Sequence, residues 1–248
     1  MSEQEESKSN LKLWGLVERT NAKHTKSAKK GQYQFTAITP MSQFKKATEV
    51  FGVQGLDWGV KVGSEVFTET TIGTTTLLNY DAVMYFKFED REGELPIHST
   101  EKLAYMTNGG NGYLKIDDEA RKKVVTNAKT KGLSELGFNA DVFMGQFENP
   151  EYLEERKAEA AMEEAEDKEK LSEERYNEVK EMFNNYVKTI EALPTALLVD
   201  NMRKKATTNV QRKLAAYKFN PALFNDKIKH AADKRIEEIR AKQEPEAK

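Results

Sequence analysis

The chain has 248 residues, of which 38% are hydrophobic and 32% charged, with a formal net charge of −2 and no cysteine. That composition supports one modest core with much solvated helix surface, and it excludes a disulfide framework, a thiol nucleophile and any cysteine-based zinc site. The opening MSEQEESKSN lacks the basic and apolar regions of a leader, and the longest apolar run, near Ala196 to Val199, is too short to span a bilayer, so a soluble, cytoplasmic protein off the membrane is expected.

The small net charge conceals segregation. Lys12, Arg19, Lys23, Lys26, Lys29, Lys30, Lys45 and Lys46 face a single acid, Glu18, over residues 12–46. Residues 151–181 are strongly acidic, whereas Arg203 to Lys218 carries six bases and no acid. Basic blocks of this kind are either solvated faces or the electrostatic footprint of nucleic-acid binding.

In chain order, residues 1–30 read as a basic segment without fixed structure, with one anchor at Leu11, Leu13, Trp14 and Leu16. Structure is expected to begin near Gln32 with the strand QYQFTAIT. Pro40 then opens a helix whose apolar positions Met41, Phe44, Ala47, Val50 and Phe51 recur at helical spacing before Gly52 ends it. Trp58, Val60, Val62 and Val66 alternate as a strand. Beyond a Gly/Thr turn, Leu78, Tyr80, Ala82, Met84, Phe86 and Phe88 share one side of a second strand, with Asn79, Asp81, Lys87 and Glu89 on the other. EDREGE is a turn, LPIHST returns as a short third strand, and KLAYMTNGGNGYLKI reads as a mobile linker. Asp117 or Asp118 is placed to cap a basic helix, whose arc of Val124, Val125, Ala128, Gly132 and Leu136 packs on the sheet. Lys122 and Lys129 border that arc on one edge and Lys131 on the other. Residues 151–192 read as one long helix, and more helix follows Pro194, interrupted at Asn220-Pro221. The fold class is α+β: an antiparallel sheet packed on a basic helix over residues 31–152, then a charged helical region over 153–248.

Motifs for independent chemistry are missing. There is no phosphate-binding loop and no dinucleotide fingerprint. His24, His98 and His230 are scattered without metal spacing, and Asp57, Asp81, Glu89 and Asp90 are explained by an outward strand face and a turn. No cofactor and no enzymatic activity are expected.

The order of pieces nevertheless carries a resemblance. ATEVFGVQGLDWGV, then FKFEDREGELPIHS, then EARKKVVTNAKTKGLSELG and ENPEYL resemble the Rad-fifty-two type of single-strand annealing protein and its phage relatives of the Sak group, over residues 32–153. Ala47, Glu49, Phe51, Gly52, Gly55, Ala120, Arg121, Lys122, Val125, Thr126, Lys131, Leu133 and Gly137 stand at matching places. Lys129 occupies a position that is often Leu, and Ser42, Thr130 and Ser134 replace basic ones. The resemblance implies rings or arcs of many copies that bind single-stranded DNA in a positive groove and anneal complementary strands without ATP. It also implies a phage-type partnership with a separate exonuclease or a host single-strand-binding protein. Candidate phosphate contacts are Lys45, Lys46, Lys115, Lys122, Lys123, Lys129 and Lys131, with Tyr105 and Tyr113 as stacking platforms. The residues alone leave two alternatives open: a passive single-strand-binding protein, and a helical scaffold.

Overall fold

The structure is a computed structural model describing residues 10–108 and 112–243. It divides into two compact units, Met1–Thr20 with His24–Gln146, and Asn21–Lys23 with Phe147–Lys248. The fold is α+β, with antiparallel sheets in the first unit and helices throughout the second.

The first unit begins earlier than residue 31. Residues 10–30, expected to lack structure, contain helix α1 (Lys12–Val17) and strand β1 (Thr25–Lys30), which pairs with β2 (Tyr33–Ile38) in a hairpin. Of the anchor residues, Leu13 packs on the core, but Leu11 and Leu16 are exposed; the buried contact is Val17. Helix α2 (Pro40–Phe51) follows, with Pro40 in its first turn and Gly52 ending it at φ 107°.

Strands β3 (Trp58–Val60), β4 (Val66–Ile72), β5 (Thr75–Phe88), β6 (Arg91–Met106) and β7 (Leu114–Ile116) form one antiparallel sheet. β3 and β4 lie end to end along one side of β5, and β6 then β7 follow on the other. The alternation read through Val66 breaks after Val60. Val62 is 99% exposed, and at Gly63 the chain turns with φ 81°. Ser64 Oγ then accepts the Val83 amide at 3.0 Å, in place of a ladder bond.

The segment read as a mobile linker is also corrected. β6 runs through Met106, and Thr107 closes a hairpin onto Tyr113, its amide donating to the Tyr113 carbonyl at 3.1 Å. Leu103 and Tyr105, inside the segment read as a linker, thus retain strand chemistry. One face of β5 turns Leu78, Tyr80, Ala82 and Met84 into the core, as its period of two dictates.

Helix α3 (Ala120–Glu135) covers that face through Ala120, Val124, Ala128, Gly132 and Leu133. Leu133 replaces Val125 and Leu136, which are only half-buried. Neither Asp117 nor Asp118 is the cap residue; Glu119 occupies that position, and the Asp117 carboxylate accepts the Glu119 amide at 3.1 Å. A methyl group on Gly132 would meet Ile97 Cγ2 at 2.5 Å and Met84 Cε at 3.2 Å. We expect Gly132→Ala to lower stability by about 1–3 kcal/mol in a denaturant melt, because α3 must lift from the sheet.

A short helix, α4 (Ala140–Phe143), ends the first unit. Asn139, just before it, sits at φ 59°, its amide donating to the Val17 carbonyl at 2.9 Å. The Asp141 carboxylate is 3% exposed. It accepts the Thr20 amide at 2.8 Å, the Thr20 hydroxyl at 2.5 Å and the Val142 amide at 2.8 Å.

The second unit comprises α5 (Pro150–Glu164), α6 (Lys168–Ala192), α7 (Ala196–Ala216) and α8 (Ala222–Gln243). The long helix expected over 151–192 is two, because Asp167 turns its carboxylate onto the Lys170 amide at 2.9 Å and caps a new start. Val179, Phe183, Ile190, Val210, Leu214, Phe224 and Ile228 belong to a separate core. Among the described residues no helix is long and apolar enough to cross a membrane.

Candidate nucleic-acid interface

Burying Ala120, Val124, Ala128 and Gly132 leaves α3 with two polar flanks. At about 100° per residue, Lys123, Asn127 and Lys131 form one row, while Lys122 and Lys129 fall on the other side.

The first row meets the rim of β6 that, short of the β7 pairing at Ala104–Met106, no strand covers among the described residues. Lys123 Nζ donates to both Asp117 oxygens, at 2.9 and 2.6 Å. Asn127 Nδ2 donates to Glu101 Oε1 at 2.5 Å, and Lys131 Nζ lies 3.2 Å from His98 Nε2. The hydrogen bond from Lys123 holds the Asp117 carboxyl below the usual carboxylate range, with Lys115 adding to the effect. The same contact raises the Lys123 ammonium. Lys115 is paired in register with Tyr105, and Tyr105 with Thr75. Lys102 and Lys115 place their ammonium groups 5.1 and 5.9 Å from the Tyr105 ring centre. Lys102, Tyr105 and Lys115 form one cluster, Lys123 is linked to it through Asp117, and Lys131 lies farther along the β6 rim at His98; together these residues make up the rim band. Tyr113, 71% exposed, stands beside its hairpin end.

The second flank is different. Lys129 lies over Phe44, 4.6 Å from the ring centre. Burial pushes its ammonium down, and Glu65 partly offsets this. A lysine with a lowered folded pKa costs stability at neutral pH, and the cost is relieved as pH rises from that pKa toward the unfolded value of about 10.4. Lys129→Met should therefore melt higher than the parent at pH 7, and a thermal melt near pH 10 should show a smaller difference. Lys45 and Lys46 reach Glu49 only at 4.0 and 3.8 Å, and Lys122 reaches Glu119 at 3.3 Å. The seven lysines do not line one groove. Lys115, Lys123 and Lys131 share the rim band, Lys129 belongs to the α2–α3 side, and among the described residues no contact joins Lys45 or Lys46 to the band.

Three contributors were not singled out from sequence. Lys102 lay in the presumed linker, Asn127 is uncharged, and Arg121, 4.4 Å from the Phe67 ring centre, was counted only as a matching position. Strand period would have paired Lys102 with Tyr105 only if the irregularity near Thr76 and Leu77 had been known.

A scan against protein-family models and a search of curated proteins gave no match to this sequence.

Proposed function

We propose that the chain binds single-stranded DNA without ATP and anneals complementary strands, working as an assembly of several copies. The observation that carries this reading is the rim band, in which Lys102 and Lys115 flank the Tyr105 ring while Lys102 and Lys131 have no carboxylate partner among the described residues. Unpaired ammonium groups attract phosphates irrespective of sequence, and the Tyr105 and Tyr113 rings offer stacking surfaces. No bond is made or broken. An exonuclease or a host single-strand-binding protein is the partner class that fits a recombination role.

The test is fluorescence anisotropy with labelled oligonucleotide across a salt series, followed by annealing of two complementary strands. With about four lysines on phosphates, log affinity should fall against log salt with a slope of roughly −3 per chain. A slope near zero overturns the reading, and binding without faster annealing reduces it to passive strand protection.

Asp117 restrains this site by occupying Lys123. Asp117→Asn should therefore tighten binding a few-fold and steepen the salt slope by up to about 1. Anisotropy at two salt concentrations decides it.

A further inference from the structure

Most of the basic block over residues 12–46 has acidic neighbours. Lys12 reaches Glu89, Lys23 reaches Glu164, and Lys45 and Lys46 lie near Glu49. Lys26 and Lys29 differ: both are exposed, and neither has a carboxylate partner among the described residues. They stand on β1, whose hairpin with β2 is a sheet of its own, separate from the five-stranded one. The Thr39 amide donates to the His24 carbonyl at 3.0 Å and closes the base of that hairpin. β2 lies against α4, whereas β1 has no strand on its outer side among the described residues.

The placement of the two lysines selects the kind of ligand. Side chains alternate along a strand, so residues three apart belong to opposite faces. Lys26 shares the face of Ala28, Phe35 and Ala37; Lys29 shares that of Ser27, Gln34 and Thr36, where Gln34 Nε2 donates to Ser27 Oγ at 2.8 Å. A sugar-phosphate chain running over one face would meet only one of these lysines. A peptide laid along the β1 edge instead continues the sheet and presents its own side chains to both faces, so it meets both. A second β1 in that place would bring lysine toward lysine, the charge repulsion by which edge strands avoid pairing with themselves. For an acidic strand the same lysines are attractive.

We propose that the β1 edge docks an extended acidic segment of a partner protein, held by main-chain pairing to β1 and by carboxylates three residues apart against Lys26 and Lys29. The site goes beyond strand annealing and does not depend on it.

The experiment is fluorescence anisotropy of the full chain with a labelled peptide of threonines and valines carrying two glutamates three residues apart, with circular dichroism as a folding control. The peptide should bind, and its counterpart with glutamines should not. Lys26→Glu with Lys29→Glu should weaken binding about ten-fold or more, since two attractive cross-strand pairs become repulsive. Lys227→Glu with Lys229→Glu, the same charge change at exposed positions of α8, should leave binding unaltered. Methylating alternate peptide nitrogens should abolish binding in one phase and spare it in the other, because only every second residue of an added strand turns its amide toward β1. Binding that survives both phases of methylation, or the reversal at Lys26 and Lys29, overturns the proposal. Each rival occupant has its own overturning result. Loss of oligonucleotide affinity in the Lys26 and Lys29 variant, with no peptide bound by the parent, assigns the edge to nucleic acid. A smaller particle by light scattering in that variant assigns it to a second copy. Tighter peptide binding after Glu3→Gln, Glu5→Gln and Glu6→Gln together assigns it to the chain's own N-terminus.

Discussion

Replacing Lys102, Lys115 and Lys131 together with alanine should weaken single-stranded DNA binding on the order of fifty-fold at physiological salt. Each phosphate neutralised on a single strand contributes about 0.7 to the salt slope, so three contacts contribute about 2. Carried from a 1 M reference to 0.15 M, that slope gives about fifty-fold. Lys131 falls off the buried arc of α3 and Lys102 and Lys115 are exposed strand positions, so circular dichroism should be unchanged. Lys45→Ala with Lys46→Ala should lose much less, because among the described residues no contact joins that pair to the band. Equal losses from the two sets would place the strand across α2 rather than along β6.

Asp141→Ala is expected to be the most damaging single change to the fold of the first unit. The carboxylate is the shared acceptor of the Thr20 amide, the Thr20 hydroxyl and the Val142 amide. Truncation leaves those donors buried without it, at about 1–3 kcal/mol for an unsatisfied group and more where the lost partner was charged. We expect a loss of about 3–5 kcal/mol, a large share of the stability of a domain this size. Thr20→Val removes the hydroxyl donor but also the acceptor of the buried Asn139 Nδ2, which donates to it at 2.9 Å; with no charged group lost it should cost less, about 1–3 kcal/mol. A urea melt of both variants gives the order, and an Asp141→Ala midpoint within error of the parent would remove this clasp from the account of stability.

The residues that announce their place are those whose period is clean. Leu78 to Phe88 alternates without interruption, and α2 is bounded by Pro40 and Gly52, so both were legible. The excursion at Val62 was not, because Val62 and Val66 keep the alternation while the backbone leaves it. Tyr105 and Lys115 were named individually, but their meeting depends on hairpin register, a long-range property. The buried clasp was hidden for the same reason. Thr20 and Asp141 are 121 residues apart, and nothing local marks either of them as buried. Charge counts identified lysines without distinguishing Lys123, already held by Asp117, from Lys131, which has no carboxylate partner among the described residues.

The clasp also orders the events of synthesis. Val17 and Thr20 leave the ribosome early, yet the carbonyl of the former and the amide of the latter are matched by Asn139 and Asp141, translated far later. Until those residues emerge, the end of α1 lacks the hydrogen bonds that fasten it, and closing so long a loop is slow relative to helix or hairpin formation. The nascent chain thus carries an unfastened amphipathic segment while the sheet is being made. That interval, rather than the finished protein, is when a chaperone would have something to hold.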